Sequence, residues 1–325
     1  MRLSSIAATA VLLAAFLPAQ TPPPAGTVPP GEMPTIRVEV DVVNILCSVR
    51  DKHGRLIADL EKDDFRLFEN NEEQEIKYFA RETDLPLTIG LLVDVSKSQE
   101  RLLDLEKIAA HRFLTEVLRP NKDLAFLISF GVEAELLQDF TASLDLLRDG
   151  LDALQISAPV GGVLPSPVPT ASKPKGTVLY DAIFLASEDM LKDEVGRKVL
   201  IVISDGVDYG SIVSKAEAIE AAQRADVMVY SIYYADPRYQ YLRDGYGVLK
   251  RISEETGGRI FRVSRKRPLE WIFAQIQEEM RSQYSLGYTP TNPVRDGSFR
   301  RIRIKTVRKG LKVQARRGYY ATPKS

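Results

Sequence analysis

Cysteine is almost missing from this chain: 325 residues contain only Cys47. No intrachain disulfide can form, and no zinc site of several thiolates can be assembled. Histidine is nearly as scarce, with only His53 and His111, which argues against a histidine-rich metal centre. Any metal would have to be held by oxygen. Neither charge sign prevails, since 44 Lys and Arg balance 44 Asp and Glu. A whole-molecule attraction to nucleic acid or to an anionic membrane is therefore not indicated. The apolar run near the start, residues 6–17, falls short of the ~20 residues that a membrane-spanning helix needs.

What remains is ordinary globular material, 44% hydrophobic and 27% charged, and long enough for one large domain plus a smaller one. Arg2, the apolar run and Pro18-Ala19-Gln20 match a secretory signal over residues 1–19, cut near Ala19. An uncleaved anchor is the alternative. Export to the periplasm, cell envelope or exterior follows, with no membrane span after cleavage. Residues 20–34 are rich in proline and small side chains and predict an extended linker.

Residues 35–84 predict a β region. Ile36, Val38, Val40 and Val42 alternate with charged residues, and after a one-residue slip Val43, Ile45, Cys47 and Val49 continue the alternation. Cys47 is expected in the core, as free cysteine usually is. Asp51-Lys-His-Gly54 predicts a turn, with His53 solvated. Phe65 and Leu67, then Ile76 and Tyr78, predict two strands around an Asn70-Asn71 hairpin turn.

From 85 to 282 strands and helices alternate, which implies a mostly parallel, doubly wound sheet covered on both faces. The strand that begins at Leu87 is apolar until its end, where Asp94, Ser96 and Ser98 follow at every second position. One carboxylate and two hydroxyls where a buried strand runs into a loop make a hard-oxygen cluster at the sheet's carboxyl edge, where open α/β sheets bind ligands. A helix is expected over 99–119, burying Leu102, Leu105, Ala109, Phe113 and Val117 and leaving His111 exposed. A strand over 124–130 and a helix over 144–154 come next, then a proline-, glycine- and serine-rich loop over 158–175. Gly176-Thr177 opens another helix, and a fully apolar strand from Val199 ends in Asp205-Gly206. Further elements are a helix over 216–224, strands over 227–233 and 257–263, and a closing helix over 269–280.

Asp94-Val-Ser96-Lys-Ser98, a distant Thr177 and a strand-ending Asp205, in that order, resemble the metal-ion-dependent adhesion site of von Willebrand factor type A domains. The resemblance covers about 85–282. Asp63-Asp64-Phe65 and Tyr284-Ser-Leu-Gly-Tyr288 in the flanks resemble a group of secreted bacterial proteins that carry this domain. It implies a Rossmann-like sheet and a divalent cation, Mg2+ or alternatively Mn2+ or Ca2+, held by Asp94, Ser96, Ser98, Thr177 and Asp205. It also implies one open coordination position, filled by an exposed carboxylate of a protein or peptide partner. The residue chemistry agrees, since Mg2+ takes near-octahedral oxygen ligands and few protein carboxylates. The simpler alternative is that these hydroxyls only cap helices and that Asp205-Gly206 is only a turn.

Loop 158–175 and the segment Tyr233 to Tyr241 should border the cation, and their tyrosines and arginine suit partner selection. Residues 283–320 return to strand alternation (Tyr284, Leu286, Tyr288; Ile302, Ile304; Leu311, Val313, Ala315) and are strongly basic. Each flank has too few strands to stand alone. The two flanks are therefore expected to pair into one β-sandwich-like domain, favoured by opposite charge. A polyanion-binding surface is conceivable there, although nucleic acid is not a natural partner outside the cell. The chain thus reads as a non-enzymatic, cation-dependent adhesion or protein-binding module. The alternatives are a Mg2+-dependent phosphoester hydrolase or a structural envelope component. The hydrolase reading lacks a second carboxylate two positions after Asp94, where Ser96 stands.

Overall fold

The computed structural model describes residues 42–82, 84–157, 176–238 and 244–322. The signal, the linker, the start of the first alternating run, loop 158–175 and Tyr239 to Tyr241 lie outside the described residues.

In chain order the elements are β1 (Val43–Arg50), β2 (Phe65–Glu69), β3 (Glu72–Gln74), β4 (Ile76–Glu82), β5 (Leu87–Asp94), α1 (Leu103–Val117), β6 (Leu124–Phe130) and β7 (Ala134–Thr141). Then come α2 (Leu144–Asp152), α3 (Leu179–Leu185), which runs on into a π-helical turn, β8 (Arg197–Ser204), α4 (Lys215–Arg224), β9 (Val227–Tyr233) and α5 (Gly245–Thr256). The chain closes with β10 (Ile260–Arg262), α6 (Leu269–Arg281), β11 (Gln283–Tyr288), β12 (Phe299–Thr306), β13 (Lys312–Ala315) and β14 (Gly318–Tyr320).

The central sheet has the order β10-β9-β8-β5-β6-β7, parallel except for β7. All eight residues of β5 are buried, because helices cover both faces and leave no polar side for an alternating pattern. Ile89, Leu91 and Val93 pack into a layer with α1, α2 and α6, while Leu92 faces α3, α4 and α5. The chain steps from β5 to β6 on one side and later returns to place β8 on the other. The strand order therefore reverses between β5 and β8, leaving a crevice at their carboxyl ends.

The flanks form two four-stranded antiparallel sheets, β13-β1-β11-β4 and β14-β12-β2-β3. Each mixes strands from both ends of the chain. Ile45, Cys47, Tyr284 and Leu286 of the first sheet share one core with Phe65, Leu67 and Ile302 of the second, as in a sandwich. Opposite charge contributes at one buried place, where Arg300 of β12 meets Glu69 of β2 at 3.1 Å. Arg316 and Arg317 instead reach Asp226 and Glu254 of the α/β part.

Several local expectations need correcting. Asn70 and Asn71 do turn the chain, both with positive φ (48° and 74°), the left-handed conformation that asparagine tolerates. The returning strand is the short β3, however. Ile76 and Tyr78 belong to β4, which crosses to the other sheet and pairs with β11. The helix after the Asp-Ser-Ser segment begins only at Leu103, after a 3-10 turn at Lys97–Gln99. Its buried face runs through Leu103, Glu106, Ala110, Phe113 and Val117, leaving Leu105 55% exposed and His111 half-buried. Strands β7 and β14 and helix α5 had no expectation. The exposed, irregular edge strand β7 lacks clean alternation, and α5 opens with Gly245-Tyr-Gly247, which masks its helical period.

Candidate functional site

Asp94 is the last residue of β5 and is fully buried. One of its carboxylate oxygens accepts the backbone N–H of Ser96 (2.9 Å), and the other accepts the hydroxyl of Ser204 (2.6 Å) at the end of β8. Ser96 Oγ lies 3.0 Å from Ser98 Oγ, and Ser98 Oγ donates to Asp205 at 2.6 Å. The second oxygen of Asp205 accepts the N–H of Val207 (3.0 Å). Four of the five expected residues thus form one hydrogen-bonded cluster across the β5–β8 crevice.

Thr177, also buried, reaches this edge through its backbone. Its carbonyl accepts from Tyr209 N–H (2.9 Å), and the next N–H, of Val178, donates to Gly131 (3.0 Å) just beyond β6. The first turn of α3 is tied to the loop that follows Asp205, since the N–H groups of Tyr180 and Asp181 donate to Ser211 Oγ at 3.0 and 3.1 Å. Gly206, at φ 77°, lets that loop turn. A Cβ there would lie 2.2 Å from the carbonyl oxygen of Gly245.

Helix capping does not account for these hydroxyls. Ser96 precedes the 3-10 turn without a side-chain cap bond, and the residue flanking α3 is Val178, not Thr177. Nor does any basic side chain among the described residues balance Asp94 and Asp205. Burial, and then the charge of Asp205, pushes the Asp94 carboxyl up to about 7. Two carboxylates and the Ser96 and Ser98 hydroxyls, with Thr177 at the same edge and no basic side chain among the described residues against them, are a donor set that fits a hard divalent ion. Among the described residues no three His, Cys, Asp or Glu side chains gather into a ligand group, because only two of these five residues are carboxylates.

Three nearby residues escaped the sequence reading. Ser204 links Asp94 to the N–H of Gly206 (2.9 Å). Gln99 is fully buried and donates to the carbonyl of Tyr234 (3.2 Å), while its own oxygen finds no partner. Glu106 is fully buried with neither carboxylate oxygen bonded. Burial, then Asp94, then Asp205 push its carboxyl well above the ordinary range. Gln99 ends the 3-10 turn and Glu106 lies in α1, so no single helical period joins them and the sequence offered no signal for the pair.

A parallel sheet reversing beside a strand that ends in Asp-x-Ser-x-Ser, with Thr177 and Asp205 at the same edge, decides the architecture. The fold is that of a von Willebrand factor type A domain. No protein-family model and none of the curated proteins matches the chain. Similar solved structures include BatB from Bacteroides thetaiotaomicron, 20% identical over 60% of this chain and 97% of that one, with a TM-score of 0.45. The von Willebrand factor domain of the type V pilus tip protein Mfa5 from Porphyromonas gingivalis is 12% identical over 60% of this chain and 95% of its own, TM-score 0.45. Proximal thread matrix protein 1 from the mussel byssus, solved with zinc in its metal-ion-dependent adhesion site, is 13% identical over 66% of this chain and 50% of its own, TM-score 0.48. The crevice lies at the carboxyl ends of β5 and β8, whereas the sandwich strand β4 leads into the amino end of β5. No helix among the described residues is long and apolar enough to cross a membrane.

Proposed function

We propose that this type A domain is a non-enzymatic, extracytoplasmic protein-binding module that works through a divalent cation. Asp94, Ser96, Ser98, Thr177 and Asp205 would hold the ion, with Mg2+ the first choice and Mn2+ or Ca2+ the alternatives. A bound cation supplies a Lewis-acidic position that an exposed carboxylate of a partner protein can fill. The chain's own residues neutralise and orient: the two aspartates provide charge, and the hydroxyls bind without adding more. The observation that carries this reading is the pair of buried carboxylates facing each other across the strand reversal without a basic partner. Export rests on the N-terminal sequence pattern.

The test is thermal unfolding in Mg2+, Mn2+, Ca2+ or chelator for wild type, Asp94→Ala and Ser98→Ala. An ion at 100 times its Kd stabilises the fold by about 2.7 kcal/mol. The expected result is a cation-dependent rise in melting temperature for wild type that both variants lose. Identical melting of wild type in cation and chelator would overturn the proposal.

A further inference from the structure

A second feature lies at the other end of the central sheet. Asp94 and Asp205 sit at the carboxyl ends of β5 and β8, whereas a cleft of about 510 Å³ opens beside Gly258, Arg259 and Ile260, at the amino end of β10. Its remaining walls are β12 and β13 with the turn after β1. That volume falls within the ~300–1,000 Å³ of ordinary ligand pockets.

Two properties of the cleft combine. The first is charge: seven Lys and Arg against two Asp and Glu line it. Arg50, Arg316 and Arg317 are engaged with Glu279, Asp226 and Glu254. Lys52 and Lys312 pair with no carboxylate among the described residues, and Arg303 only covers the ring of Phe68, at 5.1 Å. The second property is open backbone. Strands β12 and β13 follow one another in the chain and line the same cleft, yet they belong to different sheets with no ladder between them. Strand β14 pairs with β12 only at Phe299 to Arg301, and the Ile302 N–H still reaches Arg317 (2.8 Å). Beyond that point Ile304 presents its N–H and C=O on the same side with no strand opposite among the described residues. β13 is likewise the edge of its sheet. An unpaired edge is a template for an added strand.

We infer that the cleft between β12 and β13 binds an extended acidic segment of a partner protein, added as a strand to these open edges. Lys52, Arg303 and Lys312 would face its carboxylates, and Ile304 and Val313 its alternate apolar side chains. A charged polysaccharide could answer the basic side chains, but it has no N–H and C=O ladder to offer the edges. This site stands apart from the cation site and does not depend on it.

The experiment uses the full chain and a fluorescein-labelled Glu-Val-Glu-Val-Glu-Val peptide, followed by anisotropy at low salt. Three further arms are the same peptide N-methylated at alternate amides, a sulfated polysaccharide competitor, and the Arg303→Glu/Lys312→Glu variant. Both substituted residues are exposed, and an unchanged melting temperature confirms folding of the variant. The expected result is peptide binding that survives chelator and Asp94→Ala, weakens at least tenfold in the charge-reversed variant, and fails with the N-methylated peptide. Hydrogen exchange at Ile304 and along β13 should slow in the complex. Absence of binding, equal binding by the charge-reversed variant, equal binding of the N-methylated peptide, or binding of the polysaccharide alone would each overturn the inference. Loss of binding in chelator would move the peptide to the cation site and overturn it too.

Discussion

Glu106 and Asp94 put two carboxyl groups inside a region that offers them no positive partner. Both have folded-state pKa values above those of an unfolded chain, about 3.9 for Asp and 4.3 for Glu. The sign follows: their contribution to stability is present in full below those unfolded values and is lost as pH rises toward the folded ones. For Asp94 that window closes at about 7. In chelator the melting temperature should therefore fall as pH climbs from 4 toward neutrality, while the gain from Mg2+ should grow, because the ion needs Asp94 ionised. Glu106→Gln keeps the shape and removes the charge. We expect it to raise stability above pH 7 by at least about 1.4 kcal/mol, the equivalent of one pKa unit, because the amide has no charge to bury and needs no proton uptake on folding. A wild-type melting profile in chelator that is flat from pH 4 to 8, or one matched at every pH by Glu106→Gln, would contradict this account. Asp94 was legible in the sequence because a lone acid after an apolar run stands out. Glu106 was not, since a glutamate on a charged helix looks solvated until the neighbouring elements are in place.

Among the elements, α6 joins the two parts of the molecule. Its Glu279, fully buried, accepts the Ser48 hydroxyl (3.1 Å) and the Arg50 guanidinium, both from β1, with Arg259 at 3.8 Å. Removing this carboxylate leaves two cations near one another in a low-dielectric junction. Glu279→Ala should lower stability in urea by about 3–5 kcal/mol, whereas Arg50→Met with Glu279→Leu should cost less, because only the partly exposed Arg259 is then left without its carboxylate. Equal losses for the single and the double variant would show that the pair has no such role. Elements whose period is clean, such as β6 and β9, were readable to the residue. The β3–β4 break was not, because a strand that changes sheets keeps its alternation and only its partner reveals the crossing.

At the scale of the whole molecule, Cys47 reports on cooperativity. It is fully buried on β1, paired with Tyr284 on one side and Ala315 on the other, and burial pushes its thiol up. It should resist thiol reagents until the sandwich opens. If α6 couples the two parts, saturating Mg2+ at the far crevice should slow labelling of Cys47, and Glu279→Ala should weaken that protection. Labelling at one rate with and without Mg2+, in a protein whose melting temperature does respond to Mg2+, would show that the sandwich opens independently.

Residue type and order alone determined the doubly wound sheet and the need for the flanks to combine, and they marked the oxygen-bearing residues at the ends of its strands. Buried parallel strands must be continuously apolar, so polar residues interrupt them only at their ends. Only the tertiary structure decided which flank strands share a sheet, where the buried Gln99 and Glu106 stand behind the site, and that β12 and β13 leave a basic gap between them. Those outcomes depend on pairing and burial between residues hundreds of positions apart, for which local periodicity carries no signal.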